Sequence, residues 1–79
     1  MRYEVLDNNE PAICGEWNNN ILDSLLEATI YAYTYFYPFT KEDVIKSIEN
    51  NNIKTFSDGE TRDMSMGEID IYCTVRNVK

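Results

Sequence analysis

Asp58, Glu60 and Asp63 fall within six consecutive positions around Gly59. Carboxylates set this close can hold a hard cation or divide acid and base roles between them. Their spacing lacks the ligand pattern of an EF-hand, which closes on a bidentate glutamate. A two-carboxylate glycosidase needs a substrate cleft, and 79 residues can scarcely build one. The three acids therefore read as solvated side chains of a surface loop. Histidine is absent, which removes the commonest general base and metal ligand and, with it, the Ser–His and Cys–His nucleophile pairs. Three glycines leave little for a phosphate-cradling loop, and no GxGxxG, GxxxxGKS/T or GxSxG occurs. The expectation is a non-enzymatic chain with no catalytic residue, no metal and no cofactor.

Cys14 and Cys73 are too far apart for a CxxC site and too few for a disulfide framework. Both lie in strand-like sequence, where a free cysteine behaves as a small buried hydrophobe. A bridge between them is the alternative in an oxidising compartment.

The charge distribution says more. Fourteen acids against seven bases leave a net charge of −7. After Arg2 no lysine or arginine occurs before Lys41, while Glu4, Asp7, Glu10, Glu16, Asp23 and Glu27 all fall between. Residues 1–40 thus carry −5 (six acids, one base), and residues 41–79 carry −2 (eight acids, six bases). Such a balance opposes direct binding to nucleic acid or an anionic membrane. Solubility is the plain reading of it. The functional reading is a one-signed face that seeks a basic partner, because carboxylates spaced along a helix can imitate phosphates.

Four of the six tyrosines, Tyr31, Tyr33, Tyr35 and Tyr37, alternate within TIYAYTYFYPF. A strand would explain only residues 30–37. A helix over 21–37 explains the stretch with its start and its stop: Asn20 as N-cap, Asp23 in the first turn, and Pro38 at the end. On that helix Leu22, Leu25, Leu26, Thr29, Ile30, Tyr33, Phe36 and Tyr37 gather into one buried stripe. Tyr31 and Tyr35 fall on the other side, with Asp23, Ser24, Glu27 and Thr34. Tyrosines flanked by acids suit an arginine-rich partner surface. Asp23, Glu27, Tyr31 and Tyr35 are therefore the expected partner-binding residues.

The rest of the chain positions that helix. Arg2–Asp7 alternates as a strand, 8–11 reads as a loop, and 12–17 reads as the returning strand of a hairpin. A second helix follows at once over 41–49, with Thr40 as cap, Asp43 at N3 and Phe39 stapled to Val44. Asn50, Asn51 and Asn52 close it. Residues 53–56 suggest a short strand, 57–67 a polar loop, and 69–76 a last strand with Ile69, Ile71, Cys73 and Val75 on one face. The fold class expected is α+β: one small domain over 1–79, with an antiparallel sheet of about four strands, two helices on one face, and the order β-β-α-α-β-β.

No run of 18 apolar residues offers a membrane span, and MRYEVLDNNE lacks the apolar core of a signal peptide, so a cytoplasmic location is expected. The functional expectation is a small acidic protein that binds and inhibits a basic, nucleic-acid-binding protein. Phages and mobile elements encode inhibitors of this size and charge, including nucleic-acid mimics of anti-CRISPR and anti-restriction type. The alternative is a homodimeric structural or regulatory module, joined through Ala28, Tyr31, Ala32 and Tyr35, with no inhibitory role. A carboxylate-only enzyme ranks third.

Overall fold

The structure, a computed structural model, describes residues 1–13, 19–65 and 67–78. Seven elements follow one another: β1 (Arg2–Asp7), β2 (Glu10–Pro11), β3 (Ile21–Leu22), α1 (Leu25–Phe36), α2 (Lys41–Glu49), β4 (Glu60–Asp63) and β5 (Tyr72–Val78). All strand pairings are antiparallel, in the order β2-β1-β5-β4, with β3 also on β1. The α+β class holds, and the sheet has five strands. α1 lies on the sheet, while α2 packs on α1.

The hairpin turns earlier than its hydrophobic pattern suggests. Asn8 and Asn9 both adopt positive φ (50° and 71°), which asparagine tolerates and a two-residue hairpin turn requires. Leu6 then pairs with Pro11 and Asp7 with Glu10, so the return strand is 10–11, and Ala12 and Ile13 lie past its end. Pro11 can sit there because β2 is an edge strand. The remainder of the expected second strand, 14–17, lies outside the described residues, as does Cys14.

The outer edge of β1 is shared. Its C-terminal end takes β2, and its N-terminal end takes β3 through Tyr3–Leu22 and Glu4–Ile21. Between them Asn20 fills the gap: its carbonyl accepts the Val5 N–H (2.9 Å) and its side-chain amide donates to the Val5 carbonyl (3.0 Å). Asn20 is therefore a buried residue bonded to the edge of β1 and not a helix cap. The helix begins four residues later than expected, because Ser24-Leu25-Leu26-Glu27 is a stronger start. The Ser24 hydroxyl accepts the Glu27 N–H at 3.0 Å, and the Glu27 carboxylate reaches back to the Asp23 N–H at 3.3 Å.

α2 starts as the sequence predicts, with reciprocal bonds between Thr40 and Asp43. Its end is a Schellman arrangement: Asn51 takes φ 62°, its N–H bonds Ile48, and the Asn52 N–H bonds Ser47. Phe39, expected to staple Val44, is 45% exposed and lies against the Tyr37 ring.

Two expectations in the second half fail, one of a strand and one of a loop. Residues 53–56 form no strand. The Phe56 N–H instead donates to the Thr29 hydroxyl at 2.8 Å, which in turn donates to the Leu25 carbonyl at 2.8 Å, and the Phe56 ring is buried. β4 arises inside the stretch read as loop. Gly59, at φ 82°, and Glu60 both stand opposite Val75, a bulge that lets the chain enter the sheet. The last strand keeps its expected facing at Cys73 and Val75, both fully buried, but starts at Tyr72 and leaves Ile69 67% exposed.

Candidate interaction site

The buried face of α1 is rotated from the expected stripe. Ala28, Thr29 and Ala32 are fully buried against a core of Val5, Phe56, Met64, Cys73 and Val75, whereas Leu26 is 48% exposed. Alanines let the helix backbone approach the sheet closely. The tyrosines are left at the flanks, where their hydroxyls can reach polar partners at the sheet rim.

The ladder accordingly separates into two stacked pairs. Tyr33 and Tyr37 stack with centroids 6.0 Å apart, and Tyr31 and Tyr35 with centroids 6.1 Å apart. The Tyr31 hydroxyl donates to the Ala12 carbonyl, and the Tyr35 hydroxyl donates to the Asp7 carboxylate at 3.3 Å. Both rings are half-buried and packed against the core. They do not stand off the buried face as the helical wheel implied. Ala28 and Ala32, which the sequence placed with them on a dimer surface, are both fully buried on the sheet-facing side of α1.

The Tyr33–Tyr37 flank faces the polar edge strand. The Arg62 guanidinium lies 4.0 Å from the centroid of the Phe56 ring, bonds Glu60 (2.8 and 3.2 Å), and donates to the Tyr33 hydroxyl at 3.3 Å. Burial works against this cation, yet the bonds to Glu60 and Tyr33 outweigh it and hold its proton more firmly. The Arg62 bond holds the Glu60 carboxyl below the usual carboxylate range. Burial raises the Tyr37 phenol, helped by Tyr33 and Asp63. Cys73, paired with Arg62 across the strands, is a free thiol that burial and Asp7 push up to about 12. It is a packed side chain and no nucleophile at neutral pH.

The loop acids are occupied separately. Asp58 accepts the Asn77 N–H at 2.7 Å, Glu60 holds Arg62, and Asp63 accepts the Ser65 N–H at 2.8 Å. Among the described residues no group of three or more His, Cys, Asp or Glu could hold a metal. A hollow of about 410 Å³ at Asn8, Asn9, Thr61, Tyr72 and Thr74 has polar groups turned on one another. Asn8 accepts the Tyr72 N–H, and the Thr61 and Thr74 hydroxyls share a bond at 2.7 Å.

The outer face of α1 differs. A groove of about 280 Å³ is lined by Leu22, Glu27, Ile30, Tyr31, Thr34 and Lys41. Two expected site residues, Glu27 and Tyr31, meet there. Asp23 is exposed one turn before Glu27, and Tyr35 lies outside the lining. Ile30 and Lys41 are the members that the sequence did not single out. Ile30 was assigned to the core by the rotated wheel. Lys41, the first residue of α2, brings a base to a groove whose acids come from a stretch of sequence without one. The S-x-x-E cap at 24–27 was the available signal for the true start of the helix, while its rotation is set by the sheet.

Comparison of the chain with protein-family models, with curated proteins and with solved structures finds no match. Among the described residues no helix is long and apolar enough to cross a membrane.

Proposed function

We propose that the protein is a small non-enzymatic domain that binds a basic, nucleic-acid-binding protein and inhibits it. One observation carries the reading. The described residues hold thirteen acids and six bases, and two of each pair with one another (Glu4 with Arg76, Glu60 with Arg62). Eleven carboxylates thus remain against four cations, so the excess of seven stays whole and little of it is offset by unpaired bases. Such a surface attracts a basic partner over distance and raises its association rate, more so at low salt.

Size, charge and the absence of histidine match inhibitors of phage or mobile-element origin, with restriction or CRISPR proteins as natural targets of a nucleic-acid mimic. Cytoplasmic residence belongs to the same reading. The test is affinity capture from the native host at low and at high salt, with wild type and Glu27→Lys in parallel. Basic nucleic-acid-binding proteins should be captured by wild type at low salt, and lost with the variant or at high salt. The purified partner should lose nucleic-acid binding when the protein is added. Capture that shows no basic bias, or that survives Glu27→Lys unchanged, would sink the proposal.

A further inference from the structure

We infer that the groove along the outer face of α1 docks one amphipathic segment of that basic partner, held in a single orientation; this rests on the protein-binding reading above. The floor is apolar. Ile30 and Leu22 are half-buried, and Leu26, one turn before Ile30 on the same face, is 48% exposed. About 280 Å³ falls just under the roughly 300–1,000 Å³ typical of small-molecule pockets. It suits one or two anchoring side chains, as when a helix lays its apolar face into a groove.

The charges at the two ends are opposite. Asp23 and Glu27 stand exposed at the N-terminal end of α1. Lys41 is exposed at the other end, because residues 37–40 join it directly to the C-terminus of α1. A base in the first turn of α2 opposes the helix dipole, so α2 itself gains nothing from Lys41. A polyanion imitating nucleic acid would have no use for it either. An occupant with arginines or lysines at one end and an acid at the other satisfies both ends at once. A second copy of this chain is the weaker occupant, since two molecules of charge −7 repel.

The experiment titrates synthetic helical peptides into the isotope-labelled full chain and follows amide resonances. The probe carries leucines on one face, arginines at one end and glutamates at the other; the control is an oligo-arginine without an apolar face. The probe should shift Leu26, Glu27, Ile30, Thr34 and Lys41, and a spin label on its arginine end should broaden 23–27 and spare Lys41. Ile30→Ser should weaken probe binding about tenfold or more. Lys41→Glu, an exposed change, should weaken probe binding a few-fold and let the labelled end broaden both ends of the groove; unchanged affinity with the labelled end still confined to 23–27 would overturn the single orientation.

If oligo-arginine binds as well as the probe and spreads its shifts over the carboxylates, the groove inference falls while the acidic-partner reading stands. If neither peptide binds at low salt, both fall. Concentration-dependent shifts in the same residues without peptide, with doubled mass in sedimentation, would assign the groove to a second copy and overturn the inference.

Discussion

The two tyrosine pairs of α1 have the same spacing, the same stacking distance and opposite surroundings. Tyr33 and Tyr37 face β4, where a buried ring, a cation and a carboxylate converge on them. Tyr31 and Tyr35 face the β1–β2 hairpin, where a backbone carbonyl and one carboxylate receive their hydroxyls. A tyrosine pair is thus a neutral wedge whose role is set by what the sheet rim offers it. The first flank ties α1 to the second half of the chain and supports the fold. The second adjoins the groove and borders the surface proposed to meet a partner.

If that contrast is right, substitutions on the Phe56 side should cost far more than those on the hairpin side. Phe56→Ala removes a ring that is 1% exposed and should cost about 3–5 kcal/mol, close to the whole stability of a small domain. Urea unfolding at neutral pH would show it, and a midpoint near wild type would erase the distinction.

Thr29→Val should cost about 1–3 kcal/mol, because it strands the buried Phe56 N–H. Thr29→Ser keeps the hydroxyl and should cost clearly less. Equal losses in both variants would show that packing, not the bond, matters there.

Arg62→Met should cost about 1 kcal/mol at neutral pH, since the pair with Glu60 sits at the boundary of the core and is partly screened. The pH dependence sharpens this. Glu60 has a lowered folded-state pKa, so its contribution is present above the unfolded carboxylate value and is lost as pH falls through the folded one. The difference in urea midpoint between wild type and Arg62→Met should therefore narrow in acid. A difference independent of pH would reject the ion pair as its source.

The smallest effects belong to single hydroxyls. Tyr37→Phe loses a long bond to the Met64 carbonyl (3.4 Å) and should cost about 0.5 kcal/mol or less at neutral pH. The raised Tyr37 pKa adds a signature. Its contribution is complete below the unfolded phenol value and lost as pH rises through the folded one, so Tyr37→Phe should flatten the alkaline limb of the stability profile. Tyr35→Phe tests the other flank through its 3.3 Å bond to Asp7 and should likewise cost about 0.5–1 kcal/mol. A loss as large as that of Thr29→Val would mean that the hairpin flank also carries the fold.

Local signals were legible in the sequence wherever neighbours along the chain decide the outcome. β1, the Thr40–Asp43 cap, the stop before Pro38, the inward facing of Cys73 and Val75, and the absence of histidine chemistry all belong to that class. So did the division of four tyrosines into two pairs, which follows from helical spacing alone. The true start of α1 was legible too, in Ser24 and Glu27, but the apolar run before it drew the boundary back to Asn20.

What only the tertiary structure decided depends on contacts between distant residues. Asn20 became a buried anchor at the edge of β1 because Val5, fifteen positions earlier, offered both its backbone groups. β4, with the sequence ETRD, has no apolar alternation and became a strand because β5 had an open edge beside a bulge at Gly59. The rotation of α1 was set by the sheet, which accepts alanine where close approach matters and turns tyrosine to the rim where its hydroxyl can be satisfied. That rotation took Ile30 out of the core and brought it to Lys41, and a wheel drawn for one helix has no means to foresee a residue from the next.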